Sequence, residues 1–129
     1  ATRTMNTHLH VMEAYTNLYR IWPDPQLKQS IQTLLNIFAQ KLYNPTNGHI
    51  DLFFNDTWQG KRNIASYGHD IEAAWLLNEA LQVIDDVDMQ RSMHPIIEHI
   101  ACFQIHSLIF WKRFVSDHEH VVTSAAADR

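Results

Sequence analysis

Chain breakers are scarce in this 129-residue sequence, which has three glycines, four prolines and one cysteine. Few breakers leave long uninterrupted stretches, and these favour helices over a strand-and-turn architecture. A lone cysteine, Cys102, excludes an intrachain disulfide and fits a reducing, cytoplasmic setting. Its apolar neighbourhood marks it as inert core filler. Surplus positive charge is missing too. The formal net charge is −4, so the clustered lysine and arginine that phosphate contacts require are lacking, and nucleic acid is not an expected partner. The longest apolar run, near residues 100–111, is too short to span a bilayer and contains Gln104 and His106. No membrane partner is expected. No basic start followed by an apolar core is visible, so no secretory leader is expected either. The chain opens on Ala1, as a processed, trimmed or partial chain would.

What is present suits one globular domain. Apolar residues make up 46% and charged residues 19%. Apolar periodicity predicts helices over residues 5–22, 27–43 and 69–84, with a fourth from about residue 89 to 115 that Pro95 should kink or delay. Asn6 or Thr7 is the expected cap of the first helix. A turn cluster at 44–48 precedes an extended stretch from His49 to Trp58, read as a short hairpin. Residues 61–68 read as polar loop, 85–88 as connector and 116–129 as a small, polar, fraying tail. The fold class is therefore all-α, with antiparallel helix hairpins and a short β-hairpin or loop insert.

The first and third helices share a pattern. His10-Val11-Met12-Glu13-Ala14 and His69-Asp70-Ile71-Glu72-Ala73 are both His-x-x-Glu-Ala, 59 residues apart. Residues three and four apart share a helix face, so each histidine lies beside its glutamate. Asn6, His10, Glu13 and Asn17 form one polar stripe on the first helix, and Leu9, Met12, Tyr15 and Tyr19 form another, less polar side. The stripe reads equally as a solvated face or as one side of a wet cavity. Against the first reading, it holds no lysine, and asparagine and histidine are poor formers of exposed helix. Di-iron bundles use Glu-x-x-His with bridging carboxylates. Here the order is reversed and the bridging donors are missing, so no metal is expected. Of the aromatics, Tyr67 and Trp58 sit in the loops leading to His69 and are the ones expected near a pocket. His49, His94, His99, His106, His118 and His120 share no face and are expected at the surface or satisfied in the core.

Two stretches resemble a known family. Asn6-Thr7-His8-Leu9-His10-Val11-Met12-Glu13-Ala14-Tyr15 is similar to the signature helix of cellobiose 2-epimerases, within the N-acylglucosamine 2-epimerase superfamily. Ser66-Tyr67-Gly68-His69-Asp70-Ile71-Glu72-Ala73-Ala74-Trp75 resembles their second signature, and the segment from His49 to Trp58 also fits. The resemblance implies part of an (α/α)6 barrel. It divides the chain into residues 1–101, a partial barrel domain, and 102–129, a divergent helix and polar tail.

The resemblance also implies a reaction. The family epimerises the reducing-end glucose of a β-1,4-linked disaccharide to mannose, by C2 proton abstraction through an enediolate and with no cofactor. By resemblance, His69 is an acid/base, a task suited to imidazole. Glu72 orients it or contacts the sugar, and His10 bonds substrate oxygens or aids ring opening. Asn6, Glu13, Tyr67 and Trp58 complete the expected sugar contacts. The family's second acid/base histidine and an enediolate-holding arginine lie on helices beyond this sequence. The expected partner is thus a small sugar. Uncovered inter-helix faces are expected to promote self-association. A mannose-type aldose–ketose isomerase and a non-catalytic helical interaction domain are the competing readings.

Overall fold

The computed structural model describes residues 2–60 and 64–127, with side chains described through residue 106 and at residue 109. Its helices are α1 (Met5–Ile21), α2 (Pro25–Ile37), α3 (Tyr67–Ile84) and α4 (Val87–Ala127). Four two-residue strands accompany them: β1 (Arg3–Thr4), β2 (Tyr43–Asn44), β3 (His49–Ile50) and β4 (Phe53–Phe54). Among the described residues no helix is long and apolar enough to cross a membrane.

The helices follow the apolar periodicity, with corrections at their ends. α1 buries Met5, Leu9, Met12 and Thr16, one stripe at helical spacing. Thr16 tolerates burial because its hydroxyl donates to the Met12 carbonyl at 2.8 Å. The cap of α1 is Thr4, not Asn6 or Thr7, which are already helical. Thr4 is still extended, and its Oγ1 accepts from the Thr7 N–H at 3.3 Å. α2 starts two residues before the predicted Leu27. Asp24 caps it by accepting from the N–H groups of Gln26 and Leu27, and Pro25 occupies the first turn, where its missing N–H costs nothing. The last part of the predicted second helix, Phe38–Leu42, is a π-helical turn that buries both Phe38 and Leu42.

The expected hairpin over residues 49–58 does not pair with itself. β3 pairs with β2 across the 45–48 turn, His49 opposite Asn44 and Ile50 opposite Tyr43. β4 pairs instead with β1, Arg3 opposite Phe54 and Thr4 opposite Phe53. The Met5 N–H continues this link to the Leu52 carbonyl at 2.9 Å. Two residues are too few to show an alternation of their own, so such strands take whichever backbone partner the helices bring near, which sequence spacing does not reveal.

α3 starts at Tyr67 and stops at Asp85, which adopts the left-handed conformation (φ 48°, ψ 50°) that ends many helices. The predicted connector shrinks to Asp85-Asp86. α4 runs through Pro95. The carbonyl left without its helical partner is that of Arg91, and Arg91, His94 and Pro95 are all exposed, so water can serve it. Cys102 is exposed on α4 rather than core filler. Residues 116–127 continue the α4 backbone; residues 61–63 of the expected loop and 128–129 of the expected tail lie outside the described residues.

Tertiary links fix the directions. β1 leads into α1, α2 ends at β2, and β3 meets the first turn of α3, so α1 and α3 start at the same end of the molecule. At the other end Arg20 Nη2 donates to Glu79 Oε1 at 2.5 Å. α1 and α3 are therefore parallel neighbours, each followed by an antiparallel helix that packs on it, α2 and α4. The core between them holds Leu9, Met12, Ile31, Leu35, Phe38, Leu77, Ala80, Leu81 and Ile100.

Asp86 joins the second pair of helices to the first. Its Oδ1 accepts from the Met89 N–H at the start of α4, and its Oδ2 accepts from Gln32 Nε2 on α2. These two hydrogen bonds hold its carboxyl below the ordinary value of 3.8. A carboxyl lowered by folding contributes stability above its unfolded value, and that contribution is lost as pH falls through the folded value. Asp86→Asn is expected to be less stable than the parent at neutral pH, with the difference closing below pH 3.8. Urea unfolding followed by circular dichroism across that range measures it.

Candidate functional site

The two His-x-x-Glu couples stand on the parallel helices α1 and α3. The Arg20–Glu79 bridge joins positions 59 residues apart, the same interval that separates His10 from His69 and Glu13 from Glu72. Equal rise along parallel helices puts each such pair at a matched height. The couples differ in detail. His10 Nδ1 meets Glu13 Oε2 at 3.1 Å on an open surface, with the two side chains 51% and 40% exposed. His69 is half-buried, and its Nδ1 pairs with the hydroxyl of Ser66, the residue preceding α3, at 2.7 Å. Glu72 is half-buried, whereas Asn6 and Asn17 are exposed. The polar stripe of α1 thus faces outward from this chain, and Tyr15, placed on the less polar side, is exposed as well. None of these residues lines the apolar groove of about 350 Å³ between α3 and α4, which is walled by Ile71, Trp75, Ile97 and Ile105 among others.

The aromatic candidates sit at the end where α1 and α3 begin. Asn55 shapes the loop after β4: its Oδ1 accepts from the N–H groups of Thr57 and Gln59. Between them Trp58 is forced to φ 62°, an uncommon conformation for a bulky side chain. Its indole is held by three contacts. The Arg3 guanidinium lies 4.5 Å above it, His8 meets it edge-on at 5.4 Å, and Phe54 packs at 5.9 Å. Trp58 is thereby fixed beside the first turn of α1. Tyr67, the first residue of α3, is exposed, with its ring edge-on to His49 at 5.6 Å.

Beneath Tyr67 lies His49, which of its two expected places takes the core and not the surface, paired with a buried carboxyl group. Asp70 is fully buried. Its Oδ1 accepts from the Ile50 N–H at 2.9 Å, and its Oδ2 accepts from His49 Nδ1 at 2.7 Å and Gln104 Nε2 at 2.9 Å. The carboxylate assigns the Nδ1 proton to His49, since it can only accept. Nearby Asp51 has its carboxyl raised by burial, partly offset by a hydrogen bond to Asn44 and by the adjacent His49. The sequence signal for Asp70 is a carboxylate one turn before Ala73 and Ala74 and two before Leu77, on the face that α3 buries. Among the described residues no group of three or more histidine, cysteine, aspartate or glutamate side chains gathers as a metal site would need.

Known proteins resemble this chain in sequence and fold. The chain is 46% identical over 99 residues to a cellobiose 2-epimerase of Bacteroides fragilis, covering 77% of this chain and 25% of that protein. It is 41% identical over 99 residues to the cellobiose 2-epimerase of Dictyoglomus turgidum, again 25% of that protein. The solved cellobiose 2-epimerase of Bacillus thermoamylovorans superposes with a TM-score of 0.70 at 44% identity, covering 78% of this chain and 25% of that one. This chain is similar to one segment of these cellobiose 2-epimerases. A sugar epimerase from a ruminal bacterium superposes with a TM-score of 0.76 at 32% identity, covering 78% and 26% of the two chains. No family model matches the chain.

The chain spans about a quarter of the length of the curated relatives it matches. Cellobiose 2-epimerases are (α/α)6 barrels, and the two helix hairpins here are a segment of that fold. Within the epimerase-like segment, Asp70 ties the β3 loop and α4 to the helix that carries His69. Asp70→Ala leaves a buried imidazole, a buried amide and a backbone N–H without their acceptor, and is expected to cost about 3–5 kcal/mol of stability. Thermal and urea unfolding measure the loss; a change below about 1 kcal/mol would remove Asp70 from this role.

Proposed function

We propose that the chain is part of a carbohydrate epimerase that converts the reducing-end glucose of a cellobiose-type disaccharide to mannose at C2, with no cofactor. The observation that carries this reading is the pair of His-x-x-Glu couples at matched heights on the parallel helices α1 and α3. In this reading the opened sugar lies across that face. His69 takes the C2 proton, and the bonding electrons move toward the C1 carbonyl to form the enediolate. Ser66 occupies His69 Nδ1, which leaves Nε2 for the substrate. Because Ser66 fills that position, Glu72 is assigned to the sugar hydroxyls rather than to orienting the ring. His10, held by Glu13, bonds substrate oxygens or assists ring opening. Asn6, Tyr67 and Trp58 rim the sugar. The single cysteine supports a reducing, cytoplasmic setting.

Inversion at C2 requires proton delivery to both faces of the enediolate, and the resemblance puts the second acid/base histidine outside these 129 residues. The purified 129-residue chain is therefore expected to show no epimerisation of cellobiose in a coupled assay. In a full-length relative, replacing the histidine that matches His69 by asparagine is expected to slow exchange of the C2 proton with heavy water by about 10²–10⁴-fold. Undiminished exchange would place the base elsewhere.

A further inference from the structure

Ser66 departs from the pattern that two other helix starts follow. Thr4 and Asp24, the residues before α1 and α2, each turn a side-chain oxygen onto free N–H groups of the first helical turn. Ser66 holds the same position before α3, its backbone is extended as theirs is (φ −125°, ψ 106°), and serine suits the task. Its hydroxyl makes no such cap. It pairs instead with His69 Nδ1 at 2.7 Å. The start of α3 can do without a side-chain cap because Asp70, an acid in its first turn, is tied to β3 and α4 and holds that turn in place. A local rule broken without gain in stability marks a side chain kept for another task.

The chemistry of the partner says which task. In the matching couple, His10 Nδ1 goes to the carboxylate of Glu13. Glu72 follows His69 at the same spacing, yet His69 Nδ1 goes to a neutral hydroxyl. For Nε2 of an imidazole to take a proton it must be bare, so the ring's own proton sits on Nδ1 and needs an acceptor there. For the ring to hand that proton back, no negative charge should hold the imidazolium. A hydroxyl meets both demands, a carboxylate only the first, and a methyl group neither. We propose that Ser66 is a positioning residue for the proton transfer: its oxygen accepts from His69 Nδ1–H and keeps Nε2 bare, without adding charge beside the ring. No bond to Ser66 forms or breaks; the proton passes between the sugar's C2 and Nε2. The role in catalysis rests on the reading of His69 as the base, whereas the hold of Ser66 on the ring rests on the hydrogen bond alone.

Imidazole ¹⁵N magnetic resonance of the full 129-residue chain tests the hold. Spectra are taken at about pH 8, above the ordinary imidazole value of about 6.5, and His69→Asn identifies the ring's signals. The parent is expected to carry the proton on Nδ1. Ser66→Ala is expected to move it to Nε2, the tautomer that free imidazole favours in water, and Ser66→Thr to keep it on Nδ1. Unchanged helical circular dichroism shows that the variants keep the fold. A parent with the proton on Nε2, or a tautomer that Ser66→Ala leaves unmoved, overturns the proposal. The catalytic role is read in a full-length relative that has serine at the matching position. Alanine there is expected to lower kcat about tenfold or more with KM little changed, and threonine to restore it. Aspartate is expected to move the pH at which activity appears upward by about one pH unit or more, because a carboxylate favours the charged ring. An unchanged kcat in the alanine variant overturns the positioning role. Undiminished C2 exchange after loss of the histidine itself overturns the reading of His69 as the base, while the tautomer measured in this chain still decides whether Ser66 holds the ring.

Discussion

A single carboxylate, that of Asp70, determines how the parts of this chain meet. It has no exposure, and its two oxygens take three hydrogen bonds from two separate elements: the Ile50 backbone and His49 ring in β3, and the Gln104 amide in α4. A carboxyl group in a dry interior is tolerated only when its oxygens are partnered in this way. Satisfying it brings the β3 strand against α3 and sets the level of α4. The same turn of α3 carries His69 one residue earlier and Tyr67 one residue before Gly68. The placement of the candidate base is thus set from below by a polar group and not by apolar packing alone.

Much of the helical frame was legible in the sequence. Leu9 and Met12, or Ile31 and Leu35, announce their helices through spacing, because an apolar stripe is the condition for a helix to pack. What was not legible is instructive. The strand partners were hidden because two-residue strands have almost no side-chain signature; Arg3-Thr4 finding Phe53-Phe54 depends on where the helices deliver them. Pro95 does not delay the start of α4, because its cost depends on whether the freed carbonyl faces water, a property of the fold rather than of the residue. Cys102 was misread for a related reason, since an apolar neighbourhood in sequence does not say which side of the helix a residue takes.

The candidate site was partly legible too. The repeated His-x-x-Glu pattern, with its interval of 59 residues, pointed to two equivalent helices before any geometry, and the Arg20–Glu79 bridge repeats that interval in space. The roles within the pattern were less accessible. One couple closes on itself, His10 on Glu13, whereas His69 turns back to Ser66, although the local sequences are alike. The difference arises because position 66 lies just before a helix start and presents a hydroxyl there, while the matching position 7 on α1 is already within the helix and its threonine hydroxyl pairs with Thr4.

The backbone of Trp58 carries an implication of its own. A left-handed conformation costs a residue with a side chain about 1–2 kcal/mol, and here the indole's neighbours offset it: a guanidinium on its face, an imidazole on its edge, a phenyl ring beside it. Two of those neighbours, Arg3 and Phe54, face each other in the β1–β4 pair. The loop is therefore a latch whose catch, Arg3, lies 55 residues earlier in the sequence. Loosening the first strand would release the tryptophan without any change near it in sequence, and the wall it forms would relax toward an ordinary turn.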